Sequence, residues 1–306
     1  MSNLSRATYR KLYESLRSYE DVSRVARETG LDPELLFVIY THRVTRDATK
    51  RFYVVKNRSA QLLKEWQRGR SYLDLAREWN FPPVLMAQMV ERERQTPRKV
   101  FWDGFRHPEA IPDPRLRREV QEVLAHDWIY SPKGGELQRE RGRKGEQRLA
   151  QWLQRHGLTY RTEKDLRGKF AKTPDALLDR PIGIEGHRVA WIESKANFGD
   201  DVELRRNLRK QLEPYVRMFG EGLVVYWYGH IQEAEPVPGI LIYDGDRFEQ
   251  LVPTEPPPET RSPSGPPTGG STSAPPRPPP RPEAPPPTSG RVPPRRRTPV
   301  DRSAYF

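Results

Sequence analysis

Apolar positions between residues 18 and 46 recur at helical spacing: Tyr19, Val22, Val25 and Ala26, then a break at Thr29-Gly30-Leu31, then Leu35, Leu36 and Ile39. The pattern predicts two helices joined by a glycine turn, with Asp32 as N-cap and Pro33 in the first position of the second helix. Leu35-Leu36-Phe37-Val38-Ile39-Tyr40 is apolar nearly all round, which predicts burial on two sides. About 50 residues later a weaker copy follows. Ala26-Arg27-Glu28 is echoed by Ala76-Arg77-Glu78, Leu31 by Phe81, Pro33 by Pro83 and Leu35 by Leu85. Residues 1–95 are therefore expected to form two tandem helix-turn-helix units joined by a helical Arg58 to Arg68 segment. One use of such a pair is DNA binding, with Tyr40, His42 and Arg43, or Gln88, Arg92 and Arg94, near the nucleic acid. The other is a small bundle that packs on the next domain or on a partner.

Prolines at 97, 108, 112 and 114 then break the pattern, leaving one short helix over Arg115 to Leu124 and an aromatic corner at Asp127 to Pro132. This connector covers 96–135. Residues 136–156 form a charged helix whose apolar face includes Leu149, Ala150 and Leu153, and the spacing puts Glu146 on that same inward face. Strand-like runs follow: Thr173 to Leu178, a turn at Asp179-Arg180-Pro181, Pro181 to Ile184, and His187 to Lys195. Alternation in the last places Val189, Trp191, Glu193 and Lys195 on one face. Leu223 to Tyr228 and Gly239 to Tyr243 complete the strands of a domain over 136–250.

Composition narrows the chemistry. There is no cysteine, so disulfides, thiolate zinc sites and thiolate nucleophiles are excluded, and the six histidines are scattered without an HxxxH pair, which disfavours a histidine-built zinc site. A formal net charge of +12 favours polyanionic partners. The N-terminus lacks the apolar core of a signal peptide, and no window offers the roughly 18 apolar residues of a membrane span. A soluble protein of the cell interior, cytoplasmic or nuclear in a eukaryote, is expected, with no membrane partner. Of the 32 prolines, 19 fall after Val252, mixed with Ser, Gly and Arg, so residues 251–306 are expected to be a disordered tail. A protein partner on the helical region or the tail, and a homodimer, are compatible with this organisation.

The candidate chemistry lies between Thr173 and Lys195. Asp175 and Glu193 can supply oxygen ligands to Mg²⁺ or Mn²⁺, with the Ser194 carbonyl as a third, because Mg²⁺ needs few protein ligands beside a substrate phosphate. Lys195, about 7 Å along the strand from Glu193, can position a water or stabilise developing charge. Gln211 and Tyr215, four apart on a helix, can hydrogen-bond Glu193, Lys195 or the phosphate, with Pro214 between them kinking or restarting the helix.

Glu146, Asp175 and Glu193-Ser194-Lys195 in that order resemble the PD-(D/E)xK, restriction-endonuclease-like superfamily, and Gln211 to Tyr215 resembles the QxxxY pattern of its RecB-like members. Thr173-Pro174-Asp175, Glu185-Gly186-His187, Trp191 to Ala196, Phe198-Gly199-Asp200 and Phe219 to Gly229 together resemble the TPD family, a group with archaeal and eukaryotic members. The likeness covers roughly residues 125–250 well and the helical region loosely. It implies an α+β chain: an all-α tandem helix-turn-helix region, then an α/β restriction-endonuclease-like domain. It further implies a divalent-metal-dependent nuclease, with Asp175, Glu193 and Ser194 at the metal and Lys195, Glu146, Gln211 and Tyr215 as catalytic or supporting groups; it does not name the substrate, for which DNA is the leading expectation and RNA the alternative. The rival is a helix-turn-helix protein that binds nucleic acid without cutting it. Retention of every motif residue argues against that rival.

Overall fold

A computed structural model describes residues 3–258. The segment expected to be disordered lies outside the described residues from 259 onwards.

The first half is helical: α1 Arg6–Ser15, α2 Tyr19–Thr29, α3 Pro33–Lys56, α4 Ser59–Gln67, α5 Tyr72–Trp79, α6 Pro83–Glu93, α7 Arg98–Arg106 and α8 Pro114–His126. The two predicted helix pairs are present. Gly30 closes α2 and Asn80 closes α5, both in the left-handed conformation that glycine and asparagine tolerate best. Asp32 caps α3 by accepting from the Glu34 amide at 2.9 Å, and Pro33 follows it. Asp32→Ala is expected to cost about 1 kcal/mol in stability, seen as a lower denaturant midpoint with an unchanged slope.

The connector is more ordered than its prolines suggest. Besides α8 it holds α7, whose Phe101 and Phe105 join Ile111, Val120 and Val123 in the core that α4, α5 and α6 form. Pro97, expected as a breaker, precedes the first turn of α7, where a missing amide hydrogen costs nothing.

The long helix α9 Pro132–Arg155 leads into a five-stranded mixed sheet: β1 Tyr160–Arg161, β2 Ala176–Ile184, β3 His187–Lys195, β4 Gly222–Tyr226 and β5 Ile240–Asp244, in spatial order β1-β2-β3-β4-β5. The pairs β1–β2 and β2–β3 are antiparallel, and β3–β4 and β4–β5 parallel. Short helices complete it: α10 Glu163–Leu166 before β2, α11 Asp201–Asn207 and α12 Glu213–Phe219 between β3 and β4, and α13 Gly245–Glu249 after β5.

Two expectations about the strands change. Asp179-Arg180-Pro181 is not a turn but an irregular stretch within one strand, since the β2–β3 register jumps between Leu177 and Ile182. The reversal comes instead at Glu185-Gly186, both with positive φ (49° and 82°), the geometry of a tight hairpin turn. The same register jump breaks the alternation along β3. Val189 packs with Leu149, Trp152 and Leu153 on the α9 side of the sheet, while Trp191 packs with Leu212 and Tyr215 on the other. Only Trp191, Glu193 and Lys195 share the face that carries the candidate chemistry.

The helical half does not stand apart from the sheet. Leu36, Phe37, Val38 and Ile39 of α3 are buried with Tyr9, Leu12 and Leu16, and the same cluster includes Phe198 and Ile231 from the loops that follow β3 and β4. The Leu4 amide bonds the His230 carbonyl at 3.2 Å and its carbonyl receives the Gln232 amide at 3.0 Å. The two-sided burial expected for α3 thus has the sheet half as one of its sides.

Candidate active site

Parallel strands β3, β4 and β5 end together, and Lys195 is the last residue of β3. Asp175 immediately precedes β2, which runs the other way, so the two arrive at the same edge of the sheet. The Asp175 Oδ2 accepts from the Ser194 amide at 2.8 Å, and the Asp175 amide donates to Glu193 Oε2 at 3.2 Å. These crossed bonds replace the sheet ladder where β2 begins and hold the two carboxylates side by side.

Glu193 is 4% exposed. The Lys195 ammonium donates to its Oε1 at 2.6 Å and to Gln211 Oε1 at 2.7 Å. An ammonium has three hydrogens, so two fixed acceptors leave one for a substrate oxygen or water. Burial first, and the charge of Glu193 second, push the Asp175 carboxyl up to about 7, and the more distant charge of Glu146 acts in the same direction. The pair is therefore a crowded, partly desolvated concentration of negative charge.

Ser194 divides its groups between the two faces. Its Oγ accepts from the Trp227 indole at 2.7 Å on the α9 side. Lys195 gives its carbonyl to the Trp227 amide in the β4 direction at 3.0 Å. Successive strand residues bond to alternate sides, so the Ser194 backbone groups face away from β4, on the side where its amide meets Asp175.

Gln211 lies in a five-residue π-helical turn, Leu208–Leu212, which gives way to α12 with Pro214 near its start. The wide turn accommodates the proline, whose ring would clash with a carbonyl four residues earlier in a regular helix. It aims Gln211 at Lys195, while the Tyr215 hydroxyl donates to the Thr173 carbonyl at 2.7 Å and pins the Thr173-Pro174-Asp175 corner. Burial, then the charges of Glu193 and Asp175, raise the Tyr215 pKa, so it stays a hydrogen-bond donor.

Glu146 is placed differently from the sequence expectation. It is exposed on α9, in a shallow hollow with Arg139 and Arg143, because the inward position one residue earlier is taken by Gly145. There the helix crosses so close to the sheet that a Cβ would lie 2.6 Å from the Trp227 ring and 3.1 Å from Ser194 Oγ.

Asp175, Glu193, Lys195, Gln211 and Tyr215 share one polar cleft of about 680 Å³. Lys172, Arg206 and Lys210 supply cations to its walls, with Asn197, Glu203 and Asn207 between them. No motif in the sequence marks these wall residues apart from the region they occupy. Arg206 and Lys210 stand four apart, a helical spacing that was available as a signal. Among the described residues no group of three or more His, Cys, Asp or Glu gathers as a metal cage, and no helix is long and apolar enough to cross a membrane.

The residues proposed near nucleic acid in the first helix pair are differently employed. Tyr40 and His42 are buried. His42 has its pKa lowered by burial, and the neutral ring donates through Nε2 to Asn197 Oδ1 at 2.6 Å while Nδ1 takes the Tyr9 hydroxyl at 3.1 Å. In the second pair, Arg94 lies over the Trp66 ring at 4.6 Å and pairs with Glu91 at 2.6 Å.

The fold and site define an α+β protein in which a mixed sheet gathers two carboxylates and a lysine in a cleft with basic walls. Residues 112–245 match the model of a family described as "Protein of unknown function TPD sequence-motif". The chain is 38% identical over 183 residues to the CDAN1-interacting nuclease 1 of Xenopus laevis, covering 56% of this chain and 60% of that protein. To the Homo sapiens protein of the same name it is 36% identical over 205 residues, covering 62% and 70%. To that of Gallus gallus it is 33% identical over 222 residues, covering 65% and 72%. The chain belongs to the TPD family. The match spans about 60% of the length of the Xenopus relative, and no solved structure matches.

Proposed function

We propose that this protein is a divalent-metal-dependent nuclease of the PD-(D/E)xK, restriction-endonuclease-like type, hydrolysing phosphodiester bonds in nucleic acid and foremost in DNA. The observation that carries the reading is the convergence of Asp175, Glu193, Lys195 and Gln211 in one cleft with cationic walls. With the short α10 set between β1 and β2, the order from α9 through β4 is compatible with the helix, three strands, helix, strand core of that superfamily, and the relatives are named as nucleases.

The donor set suits Mg²⁺ or Mn²⁺. It is all hard oxygen: two carboxylates and the carbonyl of Ser194, whose amide bonds Asp175. The raised pKa of Asp175 marks negative charge that a divalent cation would offset. Mg²⁺ keeps several waters, so two carboxylates beside a phosphate suffice. The bound ion supplies Lewis-acid polarisation of the phosphate and a more acidic water.

The chain's own groups do the rest. Lys195, held by Glu193 and Gln211, directs its remaining N–H into the cleft, where it can orient the attacking water or meet charge developing on the phosphate. Tyr215 fixes the corner that presents Asp175. Glu146, solvated on α9, adds to the negative field at Asp175. Lys172, Arg206 and Lys210 attract the polyanionic backbone, so binding should weaken steeply with salt.

The relatives' name also points to a protein partner of the CDAN1 kind, and the helical half offers surface for one. Nucleic-acid contact by the second helix pair remains part of this proposal through exposed Arg92 and half-buried Gln88.

Purified protein is expected to cleave members of a panel of single-stranded, duplex, flap and junction DNA with Mg²⁺ or Mn²⁺. EDTA should stop the reaction, and excess metal should restore it. Cleavage of RNA alone would move the substrate assignment. Tight binding with no cleavage of any member, under either metal, would replace the enzyme by the non-cutting rival.

A further inference from the structure

The segment that leaves β3 just after Lys195 is held from outside the sheet domain. It runs from Ala196 to Asp200 and then into α11. Asn197 receives His42 of α3 at 2.6 Å. Phe198, fully buried, stacks on Tyr9 of α1 with ring centroids 5.2 Å apart and planes within 6°. Asp200, 3% exposed, takes both arms of the Arg46 guanidinium at 2.6 and 2.8 Å. Asp201 takes the Arg6 guanidinium through both oxygens, at 2.8 and 2.9 Å.

What Asp200 does next connects this clamp to the cleft. Its Oδ1 accepts the Glu203 amide at 3.0 Å and so caps α11. Glu203 is buried between two guanidiniums, with Arg46 at 3.5 Å on one oxygen and Arg206 on the other. Asn207 donates to the Tyr226 hydroxyl at 3.0 Å, fixing the far end of α11 to β4. Asn197, Glu203, Arg206 and Asn207 all line the cleft. One arginine on α3 thus sets the start of the helix that forms the cleft wall opposite the carboxylates.

We propose that Arg46 is a positioning residue of the active site: by clamping Asp200 and Glu203 it fixes α11, and so makes helices α1 to α3 part of the catalytic platform rather than a detachable nucleic-acid-binding unit. The proposal rests on the nuclease reading for its kinetic consequence but not for its structural one. A bidentate guanidinium–carboxylate pair is the geometry by which an arginine fixes orientation as well as charge. Burial acts to raise the Asp200 pKa, and Arg46 overcomes it, holding the carboxyl below its usual range. Without Arg46 that carboxylate would be buried beside Glu203 with no cation of its own, and α11 would have to move to hydrate it.

The test uses the full chain with Arg46→Met, Arg46→Lys and, should the first fold poorly, Asp200→Asn, which keeps a capping oxygen but not the charge. Amide hydrogen exchange over 197–207 should quicken in Arg46→Met while exchange in β4 stays at the wild-type rate. On a DNA substrate cleaved by the wild type, kcat should fall about a hundredfold, the scale of a small misplacement of reacting groups, with KM moving less than about threefold. Arg46→Lys should fall between the two, because one ammonium cannot serve both oxygens. Wild-type exchange over 197–207 in Arg46→Met overturns the proposal. So does a rise in KM with kcat unchanged, which would make Arg46 a substrate contact. If the wild type cleaves nothing, the nuclease reading fails, and the exchange result still decides whether Arg46 holds the wall.

Discussion

Lys195→Ala is expected to lower cleavage by about a thousandfold while changing nucleic-acid affinity by less than about threefold. Removing one preorganised group at a developing charge costs on the order of 10²–10³ in rate. The lysine also neutralises Glu193 in the resting protein, at 2.6 Å. Affinity should survive because Lys172, Arg206 and Lys210 remain on the walls. Asp175→Asn should give a similar loss for a different reason. It keeps a side-chain oxygen to accept the Ser194 amide, yet removes one of the two charges that would hold a metal. Single-turnover cleavage beside a filter-binding or anisotropy isotherm separates the two quantities. Wild-type rates in both variants would remove the site from consideration, whereas equal losses of rate and affinity would make Lys195 a binding group only.

Gly222→Ala is expected to destabilise the protein by about 3 kcal/mol or more, the upper range for overpacking a core. Gly222 opens β4 directly opposite Trp191 of β3, and a Cβ there would lie 2.0 Å from the Trp191 ring. The ring has nowhere to go. It is fully buried, its indole nitrogen donates to the Gly220 carbonyl at 2.8 Å, and it meets the Tyr215 ring in a T-shaped contact with centroids 5.2 Å apart. Any shift of β3 carries Glu193 and Lys195 with it, so activity should fall along with the chemical-denaturation midpoint. Gly142→Ala is the counterpart. Nothing lies within 4 Å of its Cβ position in α9, and alanine is favoured over glycine in a helix by about 1 kcal/mol, so that variant should be slightly more stable.

What could be read in the chain is what short-range chemistry determines. Gly30, Asp32 and Pro33 announce a helix boundary by backbone preference alone, and Glu193 and Lys195 share a face because a strand repeats every two residues. Pro181 signals a turn by its lack of an amide hydrogen, whereas at a strand irregularity that hydrogen is not needed. Glu146 was placed inward by counting from Leu149 and Ala150, and the count could not show that the close approach of α9 to Trp227 passes through Gly145. Least legible was the docking of the first helices. Arg46 and Asp200 are 154 positions apart, and nothing local to either distinguishes a clamp from a surface charge. For His42 the sequence leaves two uses open, near nucleic acid or inside a packed bundle, and only its fixed partners, Tyr9 and Asn197, show it turned toward the sheet half.

The paired bonds between Gly183 and Thr254 bear on the outer edge of β2. Their amides and carbonyls pair in both directions, at 2.8 and 2.9 Å, covering β2 beyond the reach of the two-residue β1. The fit is tight, since a Cβ on Gly183 would lie 2.4 Å from the Glu255 carbonyl. An uncovered strand edge is a template on which a second chain can add. The residues after α13, which a domain ending at 250 would omit, therefore cover part of that edge: cutting the chain there would free the amide and carbonyl of Gly183 for a second chain to pair with.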